Sequence, residues 1–185
     1  MELSPMNKVL ALAICTILAA CQAVPAAQTR QRQDASPTNL SQARGFLTDN
    51  RNKEGVTESP SGLQYKVLSR GSGCQPAPDS TVRLHYQMSL QGNEQFLDDS
   101  RARGEEASSF DLREMIPAWL EAVPMMREGD TWELYVPPSL GYGATGSPPH
   151  IPPNSVMIFR IELVDALSCA APNNSFNPMP LRGTG

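Results

Sequence analysis

The chain contains few of the residues that metal sites, nucleophilic catalysis and nucleic-acid binding require. It has 2 histidines and 4 cysteines, and they do not stand at the spacing of metal ligands. Its 15 basic residues are outnumbered by 19 acidic ones, so no basic surface for nucleic acid is expected. No Ser-His-Asp or Cys-His arrangement emerges, and the glycine loops lack the strand-to-helix context of a phosphate site. The sequence therefore predicts no metal, no cofactor and no nucleic-acid partner.

A long hydrophobic run is missing as well. The apolar stretch 9–20 after Lys8 is too short to span a bilayer, and it ends in the tetrad LAAC at 18–21. This tetrad resembles the lipobox of bacterial lipoproteins, which implies lipidation of Cys21; an ordinary cleaved signal and an uncleaved anchor are the alternatives. Gln22 is not the acidic residue that retains lipoproteins in the inner membrane. The predicted location is therefore the outer membrane, facing the periplasm.

Two further cysteines flank the predicted domain. Cys74 stands near its start and Cys169 just past its last strand. Leftover cysteines often pair in an oxidising compartment. A disulfide and two free thiols both remain open at this stage.

The ends of the chain are expected to lie outside the core. Residues 1–20 form the predicted lipoprotein signal peptide, and the small, polar stretch 21–38 predicts a flexible tether. Residues 39–60 predict a short helical lead-in, with Asn39 as N-cap, and residues 168–185 a disordered tail.

From residue 61 onward the apolar residues mostly alternate. The stretch Val82–Leu90 has one apolar and one polar face, as a long strand does, and 131–136 and 155–167 repeat this pattern. Between them, residues 115–123 keep helical spacing, with Pro117 suited to the first turn. We predict an α+β fold, in which a curled antiparallel sheet of about five strands wraps around one short helix.

Several motifs between residues 61 and 167 resemble FKBP-type peptidyl-prolyl cis-trans isomerases. They are SGLQYKVL at 61–68, MIPAW at 115–119, YGATG at 142–146 and IPPN at 151–154. Their order and spacing match the macrophage-infectivity-potentiator branch of exported bacterial isomerases. The resemblance identifies residues 61–167 as an FKBP-type domain that assists the folding of exported proteins.

The resemblance implies a shallow apolar pocket for an X-Pro peptide bond, without a cofactor. The catalytic set that it implies is Tyr86, Asp98, Trp119, Tyr142 and Phe159. The substrate-binding set is Phe96, Phe110, Met115, Ile116, His150 and Ile151. Within these sets, Trp119 would form the floor, while the Tyr142 hydroxyl and the Ile116 N–H would donate to peptide carbonyls.

Some readings compete with this one. The residue next to Phe96 is Leu97, and an equally gapless reading puts Leu97 in the aromatic position. Trp119 and Phe159 could serve packing alone, and His85 and His150 are interpreted as a sheet and a loop residue. The alternative function is a non-catalytic holdase that binds peptides in the same groove. Expected partners are proline-containing unfolded or exported polypeptides, the membrane and macrolides such as rapamycin; the oligomeric state stays open.

Overall fold

The structure is a computed structural model that describes residues 26–93, 95–104 and 106–170. The chain divides into the units 1–34 and 35–185. Residues 26–34 of the first unit are helical; the second unit holds residues 35–50 of the same helix and the other elements described below. Among the residues described, every helix is too short or too polar to cross a membrane. The predicted signal peptide, Cys21 and most of the predicted tail lie outside the described residues.

Helix α1 spans Ala26–Asn50 and begins well before the predicted start at Asn39. The expectation of a flexible tether is therefore wrong for residues 26–38, and Asn39 lies inside the helix instead of capping it. Alanine, glutamine and arginine dominate this stretch, and all three have high helix propensity. The remainder of the lead-in holds a turn and a short strand β1, Val56–Glu58.

The described residues form a sheet of seven strands, in the order β1-β2-β6-β7-β3-β4, with β5 also paired to β3. The pairings are antiparallel. Besides β1, the strands are β2 Gln64–Ser69, β3 Thr81–Leu90, β4 Asp98–Asp99, β5 Ser108–Asp111, β6 Thr131–Val136 and β7 Met157–Ala166. The predicted number was too low because strands of two or three residues are too short to display alternation.

The core lies between the inner face of the sheet and helix α2, Pro117–Ala122. Alternation along β3, β6 and β7 turns their apolar residues towards this helix, which confirms the predicted architecture. Pro117 occupies the first turn of α2, where its missing N–H is not needed. The fully buried residues of this core include Leu84, Leu134, Ile161, Leu163, Ala118 and Val123.

The structure joins Cys74 and Cys169 in a disulfide, with their Cα atoms 5.7 Å apart. Pro76 pairs with Cys169 in an isolated β-bridge beside it. The Glu128 carboxylate accepts hydrogen bonds from the backbone N–H of Cys74 at 3.3 Å and of Ala166 at 2.9 Å. The segment before β3 is thus fastened to the end of β7 covalently and by hydrogen bonds.

Candidate functional site

Four aromatic rings meet on the inner face of the sheet, and we call them the aromatic cluster: Tyr86, Phe110, Trp119 and Phe159. The Trp119 ring lies 5.5 Å from Tyr86, 5.4 Å from Phe110 and 5.5 Å from Phe159, between centroids. The interplanar angles of these contacts are 78°, 73° and 78°, so each is edge-to-face. Edge-to-face contacts of this kind are favourable for aromatic rings.

The local fold explains why these rings converge. Alternation along β3 directs Tyr86 inwards, and the neighbouring strands β5 and β7 supply Phe110 and Phe159. Ile116 is extended, with φ −60° and ψ 152°, so that α2 begins abruptly and lays Trp119 against the sheet. The structure therefore assembles these four predicted residues from four separate elements.

The indole of Trp119 is buried, and its Nε1 has no hydrogen-bond partner among the described residues. By contrast, Nε1 of the buried Trp132 donates to the Asp130 carboxylate at 3.0 Å. Buried N–H groups are nearly always paired in native proteins. Nε1 of Trp119 is therefore a buried donor without an acceptor among the described residues.

A carboxylate and a guanidinium lie at the rim of the cluster, bound to the Tyr86 hydroxyl. That hydroxyl donates to Asp98 Oδ2 at 2.5 Å and accepts from Arg103 Nη2 at 2.9 Å. Arg103 Nη1 also pairs with Asp98 Oδ1, and the guanidinium lies 5.5 Å from the centroid of the Tyr86 ring. Tyr86, Asp98 and Arg103 thus form a closed network, which we call the rim triad.

The rim triad shifts the pKa values of its members. Partial burial alone would raise the pKa of Asp98, but the hydrogen bonds from Tyr86 and Arg103 outweigh it and hold this pKa below its usual value. Burial, and then the hydrogen bond to Asp98, raise the pKa of the Tyr86 hydroxyl. Asp98 therefore carries a fixed negative charge at neutral pH, beside an apolar surface.

Sequence reasoning missed two residues that build the rim. Arg103 lies in the 3-10 turn Arg101–Arg103, whose arginines look like ordinary surface charges in the sequence. Ser100 is buried; its Oγ accepts from the Tyr86 N–H at 2.9 Å, and its own N–H donates to the Tyr86 carbonyl at 2.9 Å. The only available signal for Arg103 was its position a few residues after the predicted Asp98.

The remaining predicted residues differ in how deeply they are buried. Ile151 is buried, while Met115 and Ile116 are half-buried against the core. Tyr142 is 43% exposed, and its hydroxyl makes no hydrogen bond to the described residues. His150 is exposed on the same loop as Tyr142. The loop 137–154 therefore offers a free hydroxyl and one buried aliphatic side chain.

Phe96 does not join the aromatic cluster. Its side chain is 55% exposed and makes no ring contact with the described aromatic residues, while the neighbouring Leu97 is 39% exposed. The backbone N–H of Leu97 donates to the Met88 carbonyl at 2.7 Å, which aligns the chain for β4. Met88 also pairs with Asp98 in the ladder of β3 and β4, so this hydrogen bond continues the pairing by one residue.

A curled antiparallel sheet around one helix, with an indole floor and a carboxylate at its rim, defines the FKBP class of peptide-binding domains. Residues 73–164 match the family described as FKBP-type peptidyl-prolyl cis-trans isomerase, and residues 7–67 match the domain amino terminal to it. The chain belongs to this family.

The comparisons with individual proteins agree with this assignment. The chain is 43% identical over 126 residues to the peptidyl-prolyl cis-trans isomerase Mip of Coxiella burnetii, covering 68% of this chain and 54% of the relative. It is 36% identical over 132 residues to the outer membrane protein MIP of Legionella longbeachae, covering 71% of this chain and 56% of the relative. The chain thus spans little more than half the length of these relatives.

Among solved structures, the fold is similar to that of FkpA from Escherichia coli. The TM-score is 0.69 at 33% identity, and the likeness covers 78% of this chain and 65% of the other.

Proposed function

We propose that this chain is a peptidyl-prolyl cis-trans isomerase that binds X-Pro bonds in the aromatic cluster. The observation that carries the proposal is the position of Trp119. It is buried, meets three rings edge-to-face and keeps an unpaired indole N–H. A proline ring suits such a surface because it is apolar and brings no N–H that would need an acceptor.

The reaction requires the amide to twist, against a barrier of about 18–20 kcal/mol that arises from resonance. Without a catalyst the X-Pro step takes tens to hundreds of seconds. The twisted amide has lost conjugation and part of its charge separation, so an apolar, water-poor surface binds it better than the planar amide. Stronger binding of the twisted state than of the ground state lowers the barrier.

We assign the polar contacts of the substrate to three groups at the edge of the cluster. The Tyr142 hydroxyl and the Ile116 N–H donate to the carbonyls that flank the proline. Asp98 faces the twisting amide, and the rim triad keeps its carboxylate ionised and in place. His150 and Ile151 would form the lip of the groove, together with Met115.

The test is an isomerisation assay on a chromogenic tetrapeptide with one X-Pro bond. We expect a rate above the uncatalysed one and its loss on addition of rapamycin. Tyr142→Phe should lower kcat/KM about twofold to fivefold, because it removes one hydrogen bond of ordinary strength. Tyr65→Phe is the matched control, since Tyr65 stacks on Trp132 outside the cluster. An uncatalysed rate in folded protein would refute the proposal.

A second candidate function, that of a holdase, has its own observation. Phe96 and Leu97 expose two neighbouring apolar side chains directly before Asp98, and exposed apolar surface can hold an unfolded chain. This reading expects suppressed aggregation of a proline-free client, which Phe96→Ser would weaken. Leu167→Ser is the control, because Leu167 is 64% exposed elsewhere on the surface. Isomerisation without such suppression would exclude it.

We also propose that the protein works in the bacterial cell envelope, on proline-containing exported polypeptides. The disulfide supports an oxidising compartment. The Legionella longbeachae relative is named as an outer membrane protein. Lipidation of Cys21 remains a proposal, as do the predicted boundaries of the signal peptide and the domain. Labelled palmitate should enter the wild-type protein, and Cys21→Ser should abolish both labelling and membrane retention.

A further inference from the structure

The loop that carries Tyr142 is closed on itself by hydrogen bonds. Ser147 and Ile151 exchange two backbone hydrogen bonds, at 2.8 and 2.9 Å, and the Asn154 N–H donates to the Gly143 carbonyl at 2.9 Å. Gly146 allows the tight approach, since it has φ 67° and an added Cβ would lie 2.3 Å from the Ile151 carbonyl oxygen. Because these bonds tie Tyr142's neighbour to Asn154, both ends of the loop should move together.

A side chain from helix α1 reaches this loop. Asn39 Nδ2 donates to the Pro153 carbonyl at 3.0 Å, across 114 positions of sequence. Pro153 immediately precedes Asn154, whose N–H holds Gly143. The bond from Asn39 therefore acts one residue away from the link that closes the loop next to Tyr142.

The helix that presents Asn39 is itself held on the outer face of the sheet. Ala43 and Asn50 are buried, and Phe46 packs against Tyr135 with ring centroids 6.1 Å apart. Asn50 Nδ2 donates to Gln64 Oε1 at 3.0 Å, while Gln64 Nε2 donates to the Leu47 carbonyl at 2.8 Å. Asn39 thus extends towards the loop 137–154 from a helix that is packed on the sheet and hydrogen-bonded to it.

A cavity of about 150 Å³ lies between helix and loop at this point. The helix contributes Asn39 and Gln42 to its lining, and the loop contributes Pro152 and Asn154. This volume has room for several water molecules. Because this cavity separates helix and loop here, the hydrogen bond from Asn39 is a direct link between them.

We infer that Asn39 is a positioning residue for the proposed isomerase. Its hydrogen bond to Pro153 holds the loop 137–154 in a position from which Tyr142 and Ile151 can contact a bound peptide. The inference rests on the proposed function, and it assigns to helix α1 a direct influence on the substrate groove. Since the aromatic cluster does not involve the loop backbone, the bond should affect peptide binding more than the rotation step.

The test compares Asn39→Ala and Asn39→Asp with Asn52→Ala. Alanine removes the donor while favouring the helix, and aspartate keeps the size but cannot donate. Asn52 is the matched control, because its Nδ2 donates to the Thr48 carbonyl at 3.0 Å without reaching the loop. Thermal unfolding of all variants checks that they are folded.

We expect both Asn39 variants to raise KM for the chromogenic tetrapeptide about threefold to tenfold, with kcat changed less than twofold. The amides of Ile151 and Asn154 should exchange with deuterium faster, while those of β6 and β7 keep their protection. Asn52→Ala should match the wild type in both measurements. A loss of overall stability would instead speed exchange throughout the sheet, and that result would overturn the positioning role.

Failure of this inference differs from failure of the proposed function. An inactive wild-type protein would refute the isomerase proposal and, with it, the catalytic part of the inference. An active wild type whose Asn39 variants keep both KM and loop exchange would refute the inference alone. A fall in kcat at constant KM would also contradict it, because it would place Asn39 in the rotation step.

Discussion

The guanidinium of Arg103 lies over the ring of Tyr86, 5.5 Å from its centroid, and donates to the hydroxyl of the same residue at 2.9 Å. One arginine thus contacts both the face and the polar end of a ring in the aromatic cluster. Through its ion pair with Asp98, it also fixes the carboxylate at the rim. The orientation of the catalytic carboxylate that we propose therefore depends on a residue from a surface turn.

Replacing Arg103 should show how much the rim triad contributes to activity. In Arg103→Ala, Asp98 loses a charged partner, so its pKa should rise towards the ordinary value. We expect kcat/KM to fall about fivefold to tenfold, as for a charge-assisted hydrogen bond at a partly exposed site.

Arg101→Ala is the control for this change. Arg101 occupies the same turn but pairs with Glu162, and both side chains are nearly half exposed. Such a pair contributes about 0–1 kcal/mol, and it does not touch Asp98. Equal losses of activity in the two variants would show that the turn as a whole, and not Arg103, supports the site.

The pKa of Asp98 also predicts a dependence of stability on acid. Because this pKa is lower in the folded state, the carboxylate stabilises the fold above the unfolded value of 3.8. The contribution is lost as the pH falls from there through the folded pKa. Tyr86→Phe removes one hydrogen bond, so it should raise the pKa of Asp98 and reduce the loss of stability that acid causes.

Carboxyl carbon NMR titration of Asp98 and urea unfolding between about pH 2 and pH 6 would measure these two effects. The wild type and Tyr86→Phe should differ most above pH 4, where the Asp98 carboxylate is ionised. An unchanged titration of Asp98 in Tyr86→Phe would contradict the role assigned to the Tyr86 hydroxyl.

The two indoles of the protein provide a matched comparison of function and stability. Trp119→Phe shortens the ring that we propose as the floor of the groove, so we expect a loss of isomerase activity. The N–H that it removes has no partner among the described residues, so the change in the free energy of unfolding should come from the smaller ring alone. Trp132→Phe removes the hydrogen bond to Asp130, which should cost about 1–3 kcal/mol and leave the activity intact.

Denaturant unfolding and the tetrapeptide assay, applied to both variants, would decide this comparison. Trp119→Ala should destabilise the fold by about 3–5 kcal/mol through the cavity it opens, and it is therefore the less informative change. Normal activity in Trp119→Phe would indicate that Trp119 serves packing alone.

The disulfide between Cys74 and Cys169 should stabilise the folded state by restricting the unfolded chain. Its cysteines are 95 residues apart, and disulfides typically stabilise the folded state by about 2–4 kcal/mol, more for longer loops. Reductant should therefore lower the Tm of the wild type. The double variant Cys74→Ser/Cys169→Ser should have the lower Tm from the start and not respond to reductant. A wild-type Tm that reductant does not change would contradict this contribution.

Much of the site could be predicted because it depends on local patterns. Alternation along β3 assigned Tyr86 to the inner face, and helical spacing placed Trp119 against the sheet. The motif around Tyr142 indicated a loop of the FKBP type. Arg103 could not be predicted in this way. The role of a charged residue in a turn depends on its contact partners, and these are known only once the chain has folded.

For Phe96 and for helix α1, the local sequence pattern was not sufficient to predict the structure. The sequence allowed either Phe96 or Leu97 in the aromatic position before Asp98, and in the structure both side chains are exposed, at 55% and 39%. The polar composition of residues 26–38 predicted a tether, although their helix propensity is high and the structure makes them helical.

By itself the sequence determined the class of fold, because strand and helix periods dictate which side chains face inwards. The motifs that resemble the FKBP family indicated the family and the four rings that meet in the cluster. Tertiary structure alone decided that Cys74 meets Cys169, that Arg103 holds Asp98, and that Asn39 reaches Pro153. These contacts join residues that are distant in the sequence or lie in irregular turns. No periodic pattern encodes them, and they exist only once the sheet has closed around helix α2.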